Sequence, residues 1–168
     1  IPQAQASLIS FNPKTGEVLS YVGGSVFNDS QFDRVRQSYP QSGSVFKPFI
    51  YASAFSGGYN PSSLINDAPI IFEDENLETF WRPENYSGKF YGLTTLREAL
   101  VQSINIVSIK LLREIGIKKS SETVNNFGFD LERLPQDLSL ALGSGNFSPA
   151  EVARGFSVFA NDGMISDI

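Results

Sequence analysis

The stretch GSVFKP at residues 43–48 places a serine and a lysine three positions apart, in a chain of 168 residues that contains no histidine and no cysteine. A nucleophilic serine needs a base to accept its proton, and without histidine a lysine is the obvious remaining candidate. A lysine acts as a base when burial or a cationic neighbour lowers its pKa. Because residues i and i+3 of a helix lie on one face, the stretch predicts Ser44 as a nucleophile and Lys47 as its base.

The residues that flank this pair indicate its position in a helix. Pro48 has no N–H and clashes with the carbonyl four residues earlier, so it is tolerated only in the first turn. We therefore expect a helix over about residues 44–56 that begins at Ser44, where the helix dipole favours a developing negative charge. Gly43 would allow either a close approach of substrate or a tight entry into the helix. The alternative interpretation is an ordinary capping serine beside a solvated lysine.

Composition excludes several classes of protein. A net charge of −5 and a pI near 4.7 argue against nucleic acid as a partner. Without cysteine or histidine there is no thiol catalysis, no disulfide and little scope for zinc chemistry. The length is that of one domain with enough apolar content for a core, and no apolar run approaches the length of a membrane span. The chain begins without an initiator methionine, so we expect it to be a piece of a longer protein.

The N-terminal part of the chain predicts strands. Residues 6–11 and 17–22 are short apolar segments on either side of an Asn-Pro-Lys-Thr-Gly turn, a pattern that is typical of a β-hairpin and ends near residue 24. Residues 59–93 are rich in Asn, Pro and Gly, and we expect them to be irregular apart from a short strand at 69–72.

Capping signals predict helices in the C-terminal part. A capping box at Thr95–Glu98 begins a helix, and the polar residues 102–105 predict a break before the apolar pattern continues to about residue 115. Further helices are expected over about 120–127 and from 148 to about 161. A strand pair followed by helices predicts an α+β fold. Because two strands alone leave unpaired edges, we expect an incomplete domain that lacks its C-terminal strands.

Several longer stretches accompany the serine–lysine pair in a characteristic order. They are Val22–Gly24, Phe32–Arg34, Trp81–Asn85, Leu140–Ser144, Ser148–Phe156 and Phe159–Asn161. With the pair, they resemble the transpeptidase domain of class A penicillin-binding proteins over nearly the whole chain. The resemblance implies a β-lactamase/transpeptidase-like fold. Within it we expect the hairpin at 6–24, the nucleophile helix at about 44–56 and a helical subdomain at about 94–163.

The family carries a second motif, Ser-x-Asn, on a turn between helices. The tripeptide occurs here at Ser10–Asn12, Ser103–Asn105 and Ser144–Asn146, and only the second copy lies on the predicted break between helices. The resemblance implies that Ser103 relays a proton to the leaving amine, and that Asn105 orients substrate and hydrogen-bonds the lysine. Without the resemblance, this copy would be interpreted as a plain helix interruption.

A third family motif, Lys-Thr/Ser-Gly, is expected on a strand after Ser-x-Asn. The only such triplet in this chain is Lys14-Thr15-Gly16, in the turn of the first hairpin, where Gly16 would supply a positive φ. We assign this triplet no catalytic role. The catalytic triplet, and the strand that would supply a second oxyanion donor, are expected on the remainder of the same domain, which a second chain could carry.

The resemblance implies a serine D,D-transpeptidase that cross-links peptidoglycan stem peptides through an acyl-enzyme on Ser44, with β-lactams as inhibitors. It implies no metal and no organic cofactor. The parent protein would be anchored on the outer, periplasmic face of the bacterial cytoplasmic membrane and would carry a glycosyltransferase domain. Two alternatives remain: a relative that hydrolyses or senses β-lactams, and a structural fragment that is not catalytic by itself.

Overall fold

The computed structural model describes residues 4–28, 30–74 and 79–168 and shows the predicted α+β fold. The strands are β1 (Leu8–Phe11), β2 (Val18–Val22), β3 (Leu64–Asp67), β4 (Phe72–Asp74), β5 (Thr79–Trp81) and β6 (Gly92–Thr95). The α-helices are α1 (Lys47–Ser56), α2 (Leu96–Val101), α3 (Asn105–Ile115), α4 (Ile117–Asn125) and α5 (Pro149–Ala160). Short 3-10 turns lie at Gly43–Phe46, Leu131–Arg133 and Leu138–Leu142.

Within the described residues the strands form three antiparallel pairs, of which the sequence predicted one. The hairpin of β1 and β2 is confirmed. The expectation of a single short strand within residues 59–93 is wrong, because β3 pairs with β6 and β4 with β5. The short strand expected at 69–72 is β4, which begins only at Phe72. The β3–β6 pairing joins Leu64 to Thr95 across 31 residues, and local composition carries no signal for a pairing of that range.

The helices follow their capping signals closely. The break predicted at 102–105 separates α2 from α3, and α5 begins with the predicted capping box. The helix expected at about 120–127 is α4, which begins earlier, at Ile117. The reason is that Gly116 ends α3 at a positive φ of 89°, so the next helix begins directly after it.

None of the helices in the described part of the chain combines the length and apolar character needed to cross a membrane.

Residues 43–124 and 135–144 form one compact unit, which contains the serine–lysine stretch. Its core consists of Tyr51, Ala54, Ile65, Leu96, Ala99, Ile104, Val107 and Leu111. The helices α1 and α3 are both anchored in this core, and the Tyr51 hydroxyl lies 3.2 Å from the Ser108 hydroxyl across them. Burial raises the pKa of Tyr51 to about 12. The packing therefore fixes the start of α1 relative to the turn that precedes α3.

The second compact unit contains the hairpin and α5. In the hairpin turn, Gly16 adopts the predicted positive φ, at +75°. The Asp167 carbonyl also approaches the position that a Cβ at Gly16 would occupy, and the Ser166 hydroxyl donates to the Pro13 carbonyl. The Lys14-Thr15-Gly16 triplet therefore lies in a turn that packs against the chain segment at 166–167.

Candidate active site

Ser44 lies in the 3-10 turn that leads directly into α1, with Pro48 in the first turn of that helix. The serine is exposed, whereas Phe46 and Lys47 behind it are buried. Gly43, immediately before the serine, has a φ of +58°. This conformation favours the interpretation that the glycine allows a tight entry into the helix. The turn thus presents one hydroxyl to solvent at a helix start.

A second glycine, which the sequence reasoning missed, supports this turn. The Gly43 N–H donates to the Gly143 carbonyl at 2.9 Å, and a Cβ at Gly143 would clash with the Gly43 backbone. Gly143 also adopts a positive φ of 71°. Leu140–Ser144 contributes to the family resemblance, but nothing in the sequence shows that this segment crosses the backbone beside Ser44. Glycine is therefore required at position 143 for two reasons: the positive φ disfavours a side chain, and the Gly43 backbone leaves no room for one.

Lys47 is the buried cation of the site. The residue is 1% exposed, and this burial lowers the pKa of its ammonium to about 8. The ammonium donates to the Ser103 carbonyl at 2.7 Å, the Ser103 hydroxyl at 3.0 Å and the Asn105 Oδ1 at 2.7 Å. A lysine ammonium has three N–H donors, and all three are used here. The structure thus brings together three of the four predicted site residues.

The turn between α2 and α3 is shaped to accept that lysine. Ser103 adopts a φ of +54°, a left-handed conformation that costs a non-glycine residue about 1–3 kcal/mol and is enriched at functional sites. Asn105 is the first residue of α3, and its Nδ2 donates to the Glu84 carbonyl at 3.0 Å. This bond fixes the amide orientation, so that Oδ1 faces Lys47. Both oxygen-bearing side chains are therefore held in position by the backbone around them.

Ser44 is the predicted site residue that Lys47 does not hydrogen-bond. Among the described residues, no hydrogen bond joins the Ser44 hydroxyl to Lys47, because the ammonium already uses its three donors on the neighbouring turn. A neutral amine has one donor fewer and one lone pair. Loss of a proton therefore gives Lys47 an acceptor with which it can bind a hydroxyl hydrogen.

The sequence and the fold are similar to those of penicillin-binding proteins. Residues 6–168 match the penicillin binding protein transpeptidase domain. Penicillin-binding protein 1A of Pseudomonas aeruginosa is 48% identical over 97% of this chain, and that of Vibrio cholerae is 44% identical over 97%. The chain spans about a fifth of the length of these curated relatives, 20% in each case.

Solved structures give the same answer for the fold. Penicillin-binding protein 1A from Haemophilus influenzae superposes with a TM-score of 0.91 and 38% identity, over 95% of this chain and 24% of that one. The penicillin G acyl-enzyme complex of penicillin-binding protein A from Mycobacterium tuberculosis has a TM-score of 0.80 at 19% identity, over 96% of this chain and 47% of that one, and so shows likeness of fold alone. The resemblance inferred from the motifs is confirmed, and the chain belongs to the penicillin-binding protein transpeptidase family.

Proposed function

We propose that the protein is a serine D,D-transpeptidase that cross-links peptidoglycan stem peptides through an acyl-enzyme on Ser44. The observation that carries the proposal is the environment of Lys47, a lysine 1% exposed whose pKa burial lowers to about 8, one turn after an exposed serine. Such a lysine is neutral in a useful fraction of molecules near pH 7 and can act as a general base.

The first half of the reaction forms the acyl-enzyme. Neutral Lys47 accepts the proton of the Ser44 hydroxyl as Oγ attacks the carbonyl carbon of the penultimate D-Ala. Ser103, whose hydroxyl lies 3.0 Å from the Lys47 nitrogen, gives its proton to the departing amine and takes in its place the proton that Lys47 accepted from Ser44, so that the terminal D-Ala leaves and Lys47 is neutral again. Asn105 orients the substrate and keeps the lysine in place through its Oδ1. The products of this half are an ester on Ser44 and free D-Ala.

The second half transfers the acyl group to an amine of a neighbouring stem peptide. The amine attacks the ester carbonyl and loses a proton through the same Ser103–Lys47 pair, and the Ser44 oxygen leaves and regains its proton. The result is a cross-link and the free enzyme. Covalent catalysis thus replaces one difficult acyl transfer with two easier steps.

The same chemistry explains why β-lactams would act as inhibitors. A β-lactam presents a strained amide to Ser44, and ring opening leaves an ester that no amine resolves. Support comes from the family, since a structure of penicillin-binding protein A from Mycobacterium tuberculosis is described as a penicillin G acyl-enzyme complex. The whole protein would carry the Lys-Thr/Ser-Gly motif elsewhere in the domain, work in the cell envelope on peptidoglycan, and be anchored in the cytoplasmic membrane.

The test is a cross-linking assay with the full-length protein. Stem peptides that end in D-Ala-D-Ala, with a second stem as the acceptor, should yield a cross-linked product and one D-Ala per bond, and Ser44→Ala should abolish both. Persistence of cross-linking in Ser44→Ala would refute the proposal. Rapid steady-state hydrolysis of penicillin, in place of a stable adduct, would favour the β-lactam-hydrolysing alternative.

A further inference from the structure

Behind the Ser103–Asn105 turn lies a buried polar pair, Asp67 and Asn85. Asp67, at the end of β3, is 1% exposed, and Asn85 is 6% exposed. The Asn85 Nδ2 donates to Asp67 Oδ1 at 2.9 Å and Oδ2 at 3.0 Å, and also to the Lys89 carbonyl at 2.8 Å. Burying polar groups costs free energy unless they are hydrogen-bonded, so these bonds fix where each side chain can lie.

The carboxylate of Asp67 is held from its other side as well. The Tyr91 N–H donates to Asp67 Oδ2 at 2.9 Å. The Lys110 ammonium, on α3, donates to the carbonyls of Asn66 at 2.8 Å and Ala68 at 3.0 Å, on either side of Asp67. Asp67 is therefore attached to the same helix whose first residue is Asn105.

Asn85 in turn supplies the cap that α3 lacks. The first N–H groups of a helix have no partner within the helix. Ile104 occupies the capping position of α3 and its apolar side chain provides no hydrogen bond. Instead, the Asn85 Oδ1 accepts from the Ile106 N–H at 3.1 Å, and the adjacent Glu84 carbonyl accepts from the Asn105 Nδ2 at 3.0 Å. One two-residue segment thus contacts two successive residues at the start of α3.

We propose that Asn85, anchored by Asp67, is a positioning residue for the acylation of Ser44. It fixes the start of α3, and thereby the positions from which Ser103 and Asn105 bind Lys47. This inference rests on the function proposed above. Without Asn85, the Ile106 N–H and the Asp67 carboxylate both lose partners, and the turn that holds the lysine can shift. A misplacement of about 1 Å in a catalytic group can slow a reaction about 100-fold.

The experiment measures acylation of the full-length protein by a fluorescent penicillin in stopped flow, which separates the acylation rate constant from the dissociation constant of the first complex. Asn85→Ala should lower the acylation rate constant about 10- to 100-fold and change the dissociation constant less than about threefold. Asn161→Ala is the matched control. Asn161 is also 6% exposed, and its Nδ2 also donates to a carbonyl, that of Met164 at 3.2 Å.

The control separates positioning from stability. Both variants should lower the melting temperature, but Asn161→Ala should leave the acylation rate constant within about twofold of the unaltered protein. Equal rate constants for Asn85→Ala and the unaltered protein, with a lowered melting temperature, would overturn the inference. If instead the unaltered protein is not acylated at Ser44, the proposed function itself has failed, which is a different result.

A second pair of variants decides the question if Asn85→Ala does not fold. Asp67→Asn keeps an acceptor for the Tyr91 N–H but sets an amide donor against the Asn85 donor, so it should slow acylation. Combining it with Asn85→Asp reverses the polarity of the pair and keeps an acceptor for the Ile106 N–H, but it removes the donor to the Lys89 carbonyl, so the rescue should be partial. Asp67→Asn lowers the logarithm of the acylation rate constant, and the double variant should recover at least about a third of that decrease. Acylation at the unaltered rate in Asp67→Asn would overturn the inference.

Discussion

Two lysines of this protein lie in short stretches that match motifs of the family, and they have opposite environments. Lys14, in the hairpin triplet Lys14-Thr15-Gly16, is exposed, and its backbone N–H binds the Asn12 side chain at 2.9 Å. Lys47, in the serine–lysine stretch, is 1% exposed and donates three hydrogen bonds from its side chain. The difference teaches that burial and side-chain partners, and not the letters of the motif, make a lysine a candidate base.

Removing each lysine gives the largest expected contrast. Lys47→Ala should slow acylation by β-lactams about 100- to 10,000-fold, the usual contribution of a general base. Lys14→Ala should change the rate less than about twofold, because substitutions of exposed side chains outside the site have small effects. Labelling kinetics with a fluorescent penicillin measure both. The reverse order of effects would show that the catalytic lysine is Lys14.

The Ser-x-Asn copies allow the same contrast for the hydroxyl. Ser103→Ala should slow acylation about 100-fold, because the hydroxyl that is 3.0 Å from the Lys47 nitrogen is lost. Ser144→Ala is the control, since the Ser144 hydroxyl lies 2.6 Å from that of Ser139. Its rate constant should stay within about threefold of the unaltered protein. A larger effect from Ser144→Ala would contradict the assignment of the motif.

Gly143 in the site and Gly16 in the hairpin both have a positive φ and a close backbone neighbour, so substituting each one compares the two regions. Gly143→Ala and Gly16→Ala both force a side chain into a positive φ and against backbone atoms, so each should destabilise the protein by about 1–3 kcal/mol. Only Gly143 contacts the turn that carries Ser44, and its variant should therefore also slow acylation about tenfold or more. Thermal unfolding and acylation kinetics together test this. Equal acylation rates in the two variants would show that Gly143 has no part in positioning the serine.

The pH dependence of acylation gives the smallest expected effect. Burial lowers the pKa of Lys47 from 10.5 to about 8, so the neutral fraction, and with it the acylation rate, should rise about tenfold between pH 7 and pH 9. The same shift affects stability. Between pH 8 and 10.5 the unfolded state retains the Lys47 proton that the folded state has lost, so this group makes the protein more stable as pH rises. A flat rate profile across pH 7–9 would contradict the role of Lys47 as a base.

Local signals in the sequence predicted much of the fold. The turn composition placed the first hairpin, and the Ser148–Glu151 capping box placed the start of α5. Pro48 placed the start of α1 only to within three residues, because the predicted first residue, Ser44, lies in the 3-10 turn that precedes Lys47. These features depend on backbone preferences of a few neighbouring residues. The pairing of β3 with β6 was missed because it depends on contacts between distant residues, which no local pattern records.

The candidate site divides in the same way. The spacing of Ser44 and Lys47 and the helix break at Ser103 were visible in the sequence. The burial of Lys47, the close approach of Gly143 and the bond from Asn105 to the Glu84 carbonyl all depend on tertiary packing. Sequence reasoning could therefore name the candidate reacting groups but not the residues that hold them.

Mass spectrometry of the full-length protein after incubation with penicillin tests the central claim most directly. Intact mass followed by peptide mapping should find one penicilloyl group, on the peptide that contains Ser44, with no adduct in Ser44→Ala. Lys47→Ala should form the same adduct far more slowly, and Lys14→Ala at the unaltered rate. An adduct on another residue, or one that persists in Ser44→Ala, would contradict the account.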